Sequence, residues 1–238
     1  ALNIGERTLG SDHPEFARWL VNRASSLGKQ GKNAEADNLY LRAIEIGERS
    51  LGPDHPDLAL WLGNRTSLLE KKGKYTEADP VYLEAIEVQQ KTIGPDHPDL
   101  VKTLNGRALS LKGQGNYAEA DSLSLRAIEI VGKTLGPAHP NLAPCLSIRA
   151  SILKEQGKYA EAGPLTLRAI NIGEKTLGPG HPDVAGWLSN RADLLRAECK
   201  YAEADALYVR AIEIGENTLG PEHPDLATRL SNRALVLR

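Results

Sequence analysis

The amino-acid sequence predicts an all-α solenoid made of stacked helix pairs. Three observations predict it: a motif that returns every 42 residues, apolar positions three and four apart between its copies, and glycine or proline wherever those patterns stop. The motif reads LGPDHPDLA at 51–59. Near-copies are LGSDHPEFA at 9–17, IGPDHPDLV at 93–101, LGPAHPNLA at 135–143, LGPGHPDVA at 177–185 and LGPEHPDLA at 219–227. Every histidine of the chain lies in it: His13, His55, His97, His139, His181 and His223.

In the unit beginning at Pro56, residues Leu58, Ala59, Leu62, Thr66 and Leu69 mark one face of a first helix, and Gly73 supplies the left-handed residue that ends it. A second helical face runs through Tyr75, Ala78, Val81, Tyr82, Ala85, Ile86 and Val88 and stops at Gly94-Pro95. The same reading along the chain predicts helices near 14–30, 33–50, 56–72, 75–92, 98–114, 117–134, 140–156, 159–176, 182–198, 201–218 and 224–237. Units start near 14, 56, 98, 140, 182 and 224. The opening ALNIGERTLG matches AIEIGERSLG at 43–52, the second half of a unit, and the closing HPDLATRLSNRALVLR reads as a first half. Residues 1–238 are therefore expected to form a single solenoid cut from a longer array.

The histidines could be a metal array or the repeated start of a helix. A residue before proline avoids the α region, so each histidine is held in the slot of an N-cap, with proline at the first helical position. The acidic residue that follows suits the positive helix end. Neighbouring repeats sit about 10 Å apart, whereas imidazole ligands approach a shared ion to about 2 Å. The structural role is the expectation, with no metal and no cofactor.

A formal charge of −2 gives no electrostatic case for nucleic acid or an anionic membrane. Cys145 and Cys199 occupy different columns of the repeat, which suggests neither a disulfide framework nor zinc and fits a reducing, cytoplasmic location. No apolar run approaches the roughly 20 residues of a membrane span. There is no Gly-rich phosphate loop and no Ser/His/Asp set, so the chain is not expected to be an enzyme.

The second half of the unit reads GKYTEADPVYLEAIEV at 73–88, GNYAEADSLSLRAIEI at 115–130, GKYAEAGPLTLRAINI at 157–172 and CKYAEADALYVRAIEI at 199–214. A glycine, an aromatic residue two later and alanines seven apart resemble the tetratricopeptide repeat. With the 42-residue period and the LGPDHP linker, the chain looks like the long-helix branch found in kinesin light chains. The resemblance implies a right-handed α-solenoid of such hairpins. One departure is the phrase NRA. It sets Arg23, Arg65, Arg107, Arg149, Arg191 and Arg233 where that family has leucine, with Leu27, Leu69, Leu111, Leu153, Leu195 and Leu237 in place of its tyrosine. That wording resembles the repeat arrays that follow an NB-ARC nucleotide-binding switch in immune-receptor-like brown-algal proteins.

An inward arginine is costly unless paired. The Asp37, Asp79, Asp121, Asp205 column and the Glu45, Glu87, Glu129, Glu213 column are candidate partners, predicting bridges between the two helices of each unit. Gly163 and Asn171 interrupt both columns, which leaves Arg149 to Glu161 or solvent. The functional alternative is an arginine stripe for anionic ligands.

Stacked hairpins leave a concave surface lined by first helices. The resemblance implies ligand contacts at Arg18, Asn22 and Ser25; Leu60, Asn64, Ser67 and Glu70; Lys102, Asn105, Leu109 and Lys112; Ser147, Ser151 and Lys154; Ser189, Asn190, Asp193 and Arg196; and Asn232. The first of these columns varies as Arg18, Leu60, Lys102, Pro144, Gly186 and Thr228, whereas Glu35, Glu77, Glu119, Glu161 and Glu203 on the opposite flank do not change. Asn22, Asn64, Asn190 and Asn232 form a ladder suited to an extended peptide backbone, interrupted by Gly106 and Ile148. Lys112, Lys154, Arg196 and Arg238 form a basic stripe, suited to an acidic end of the ligand. Trp19, Trp61 and Trp187 share one column, as seam packing or as interface anchors, with packing favoured. The expected function is recognition of a protein or peptide ligand, as the sensing array of an NB-ARC-type receptor or as a kinesin-light-chain-like cargo or scaffold adaptor. End-to-end self-association through the cut seams is a further partner class.

Overall fold

The computed structural model describes residues 2–220 and 223–237, with side chains from Glu6 onward. Its described residues form twelve α-helices and no strand: α1 (Leu2–Leu9), α2 (Pro14–Lys29), α3 (Asn33–Leu51), α4 (Pro56–Lys71), α5 (Tyr75–Ile93), α6 (Leu100–Gly113), α7 (Tyr117–Thr134), α8 (Leu142–Glu155), α9 (Tyr159–Thr176), α10 (Pro182–Ala197), α11 (Tyr201–Leu219) and α12 (Pro224–Ala234). This is the alternation of first and second helices that the repeat predicts.

Boundaries differ from expectation at α6, α8 and α12. Pro98 and Pro140 are the expected openings of α6 and α8, but their carbonyls accept from Val101 and Ala143 at 3.0 and 3.1 Å, three residues on. The first turn is wound tighter than an α-helix and the regular pattern starts two residues later. The end of α12 closes similarly, with Val236 N–H donating to Arg233 O at 2.9 Å.

Each turn between units is built as its residues dictate. Gly52, Gly94, Gly136 and Gly178 take φ of 91–97°, a backbone region that only glycine enters freely. Three residues on, each histidine adopts its N-cap role. The backbone N–H two residues later donates to imidazole Nδ1 at 3.1–3.3 Å, in all six copies from His13 to His223. A donor that the helix itself cannot satisfy is thereby satisfied, and the histidines are helix caps.

The chain divides into two compact units, residues 1–115 and 116–238. In the first, α2 packs on α3, α3 on α4, α4 on α5 and α5 on α6; in the second the same succession runs from α7 to α12. Alanine permits this close approach: Ala36, Ala78, Ala120, Ala162 and Ala204 are all 0% exposed. Larger side chains such as Leu20, Leu62, Leu146 and Leu188 are likewise buried, each contributing about 1.5–3 kcal/mol relative to exposure. Within each unit one pair of first helices also meets, α2 with α4 and α8 with α10.

Candidate functional site

The arginine column is a set of ion pairs, in a register different from the expected one. Arg65 Nε donates to Asp37 Oδ1 at 2.8 Å, Arg107 to Asp79 at 2.9 Å, Arg149 to Asp121 at 2.8 Å and Arg233 to Asp205 at 2.6 Å. Each aspartate precedes its arginine by 28 residues and lies on the second helix of the preceding repeat. The bridges therefore tie successive repeats together, not the two helices of one hairpin. The glutamate column takes no part: Glu87, for example, pairs with Lys91 at 2.9 Å. Arg149 has its aspartate after all. The arginine deprived by Gly163 is Arg191, which donates instead to Thr166 Oγ1 at 3.5 Å. Arg23 is exposed, and the matching aspartate position lies ahead of Ala1. The other guanidiniums are committed to carboxylates inside the stack, so they do not form an open stripe for anions.

Among the expected ligand positions, Arg18, Asn22, Leu60, Ser67, Lys102, Leu109 and Asn190 are exposed. Ser25, Asn64, Glu70, Lys112, Ser151, Lys154, Ser189, Asp193, Arg196 and Asn232 are partly exposed, while Asn105 and Ser147 are buried. Arg238, the last member of the basic stripe, lies outside the described residues. Several of these groups already have partners. Arg18 bonds Asp57 on the next first helix at 2.9 and 3.1 Å. The hydroxyls of Ser67, Ser151 and Ser189 turn back to their own helix carbonyls at 2.8–3.0 Å.

Two rungs of the asparagine ladder are oriented by the repeat before them. Asn190 Nδ2 donates to Ser147 Oγ at 2.8 Å, and Asn232 Nδ2 donates to Asp193 Oδ1 at 3.4 Å. An ionised carboxylate only accepts, so the amide nitrogen of Asn232 must face it, leaving the oxygen and one N–H uncommitted.

Beneath the ladder, tyrosines of the second helices reach through to the first-helix layer, a feature the sequence reading missed. Tyr208 is fully buried and donates to Asp193, beside Arg196. Tyr82, 5% exposed, has the Glu70 carboxyl near its phenol, and Tyr40 lies near Ser25. Burial raises the pKa of all three phenols, and the adjacent carboxylates raise those of Tyr82 and Tyr208 further. The interruption of the ladder at Gly106 follows from this floor. A Cβ there would stand 2.5 Å from Tyr82 Oη, so the phenol occupies the space an asparagine would need.

Tetratricopeptide-repeat models match the chain at 15–78, 66–131, 99–162 and 183–238, and a further one at 144–183. The chain belongs to the tetratricopeptide repeat (TPR) family. Among solved structures it is similar to the kinesin-light-chain-type, nearly identical TPR-like repeats of Podosopora anserina. Two structures of those repeats are each 24% identical, with TM-scores of 0.73 and 0.71, covering 87% of this chain and 98% of that one. It is similar to BtubC (BKLC) from P. vanneervenii at 18% identity and TM-score 0.67, covering 92% and 82%. A third, YrrB, a TPR protein with an unusual peptide-binding site, is 17% identical with TM-score 0.55, covering 97% of each chain. Comparison with curated proteins gives no match. No described helix of this TPR array is long and apolar enough to cross a membrane.

The constant glutamates of the array have a local explanation. Glu35, Glu77, Glu119, Glu161 and Glu203 each stand in the first turn of a second helix. Negative charge is favoured there by the helix dipole. Their constancy therefore says nothing about recognition on the other face. The tryptophan column is mostly seam: Trp61 is 2% and Trp187 8% exposed, whereas Trp19 is 42% exposed.

Proposed function

We propose that this TPR array binds an extended segment of a protein ligand along its first-helix layer, as the sensing array of an NB-ARC-type receptor. One contrast carries the reading. Arg18, Leu60, Lys102, Pro144 and Thr228 share an exposed first-helix column and differ in charge, size and backbone freedom. On the second helices, Leu41, Leu83, Leu125 and Leu167 are exposed too, yet that column departs from leucine only at Val209. Exposure alone does not diversify a column, so variation concentrated on the first helices has a local cause, and ligand recognition supplies one. The asparagines add matched donor and acceptor groups for a peptide backbone. Burial of Ser147 and Asn105 gives them a supporting role, orienting neighbours such as Asn190.

A second reading, a cargo or scaffold adaptor, rests on the 42-residue period and LGPDHP linker that resemble kinesin light chains. An upstream P-loop module in the complete polypeptide would separate receptor from adaptor, and a heptad coiled coil would favour the adaptor. Both readings place the protein in the cytoplasm.

The test is a display selection of random dodecapeptides on this chain and on a variant with Asn22, Asn64, Asn190 and Asn232 changed to alanine. With helicity retained by circular dichroism, the variant should lose the peptides the parent enriches. The same enriched set from both proteins would overturn the asparagine ladder.

A further inference from the structure

An extended residue presents its own N–H and C=O on one edge, the N–H toward its N-terminal side and the carbonyl toward its C-terminal side. A side-chain amide can engage both at once, its oxygen accepting from the N–H and its nitrogen donating to the carbonyl. Which end of the amide is nitrogen therefore decides which way the bound chain must run. An amide free to turn over serves either direction. One held by a neighbour serves a single direction.

In the second compact unit, residues 116–238, two amides are held. Asn190 on α10 donates one N–H to Ser147 Oγ on α8 at 2.8 Å, and Asn232 on α12 donates one to Asp193 Oδ1 on α10 at 3.4 Å. Both contacts reach back to the preceding first helix. Both nitrogens therefore lie on that side, and both oxygens on the side away from it. At Asn232 the choice is chemical, because turning the amide over would set its oxygen against a carboxylate oxygen. Asp193 is itself held from below by the phenol of Tyr208, which is 0% exposed. Ser147 is 4% exposed, so the group that anchors Asn190 is part of the seam. The equivalent of Ser147 behind Asn64 is Val21, which has no side-chain acceptor. Asn190 is exposed and Asn232 partly exposed, and each keeps its oxygen and second N–H for the open face.

We infer that Asn190 and Asn232 fix the direction of the bound segment: it runs antiparallel to the repeats, its C-terminal side over α8 and its N-terminal side over α12. Its carbonyls meet the amide nitrogens, which lie toward the preceding helix, and its N–H groups meet the oxygens. This rests on the proposed first-helix binding face and adds the sense in which that face is read. Ser147 and Asp193 are positioning residues, acting on the ligand through the two asparagines.

The test starts from dodecapeptides enriched by the parent chain. It keeps those that bind the Asn190→Ala, Asn232→Ala double variant about tenfold more weakly, the scale of a few net hydrogen bonds. One such peptide is made with a benzophenone side chain at its N-terminus and, separately, at its C-terminus. Each is irradiated with the parent chain, and the attachment points are mapped by mass spectrometry. The C-terminal probe should attach to first helices earlier in the chain than the N-terminal probe does. The opposite order, or both orders equally, would overturn the assigned direction while leaving the binding face standing. Enriched peptides that all bind the double variant as tightly as the parent would overturn it too, since the two amides would then be unused. No enrichment by the parent chain would overturn both readings. Should the double variant lose helicity, Asn190→Ala alone, at an exposed position, replaces it, and the cross-links are read on the parent chain as before.

Discussion

Trp187 lies against the backbone of Gly173: a Cβ on that glycine would stand 2.0 Å from the indole Cζ3. Trp61 does the same at Gly47, 2.5 Å from a built Cβ, and Arg229 at Gly215, also 2.5 Å. At two other seams both partners of this 14-residue spacing change together, to Gln89 with Thr103 and Val131 with Cys145. The pair is a size exchange across each inter-repeat seam.

Gly173→Ala should therefore overpack the seam and cost roughly 1–3 kcal/mol. Trp187→Thr alone should leave a cavity and cost roughly 3 kcal/mol. The double variant should cost clearly less than the sum, because the added methyl then has room. Urea denaturation of the four proteins measures this coupling, and strict additivity would contradict the size exchange.

The Arg107 side chain is 8% exposed and its charge is balanced by Asp79 at 2.9 Å. Asp79→Ala should cost about 3 kcal/mol by leaving that guanidinium buried without its carboxylate. Replacing both residues by methionine and leucine should cost much less. If the expected same-hairpin pairing held instead, Asp121→Ala, not Asp79→Ala, would uncouple Arg107; thermal melts of the two variants combined with Arg107→Met distinguish the registers.

Arg191 meets a glycine where Arg65, Arg107, Arg149 and Arg233 meet aspartate, and a Cβ on Gly163 would be 3.2 Å from its Nη1. Gly163→Asp should stabilise the chain by about 1–2 kcal/mol, combining better helix propensity with a charge-assisted hydrogen bond. Gly163→Ala should recover only the propensity part. A denaturation midpoint no higher for aspartate than for alanine would count against the bridge.

Arg42 pairs with Glu6 and Arg210 with Glu174 across neighbouring second helices, but the equivalent residue of the second repeat is Glu84, beside Glu48. Burial first, then Glu48 and Glu87, raise the Glu84 carboxyl pKa, with Arg65 opposing. A carboxyl that holds its proton more tightly when folded stabilises the fold below its unfolded pKa, and this contribution is lost as pH rises through the folded value. Stability should fall as pH rises just above the ordinary glutamate range. Glu84→Arg should flatten that slope and add up to about 1 kcal/mol at neutral pH. Denaturation midpoints between acidic and neutral pH check both.

The asparagine ladder was visible in the sequence, but the reason for its break was not. Gly106 reads as a missing rung until Tyr82, 24 residues earlier and in a different helix, is seen filling the place. The Gly–Trp seam did leave a signal: paired changes at a spacing of 14 residues, readable by comparing columns two at a time instead of singly.

By itself the sequence determined the period, the helices and their caps, because those depend on contacts between residues a few positions apart. His55 needs only Pro56 and the Asp57 N–H to start its helix. The partner of each arginine was decided by tertiary structure alone. Arg65 finds an aspartate 14 residues ahead at Asp79 and another 28 behind at Asp37, and the 42-residue period presents the same choice to Arg107, between Asp121 and Asp79. The way each hairpin leans on the one before it brings Asp37, not Asp79, to 2.8 Å. Stacking geometry belongs to the packed array and is written in no single unit.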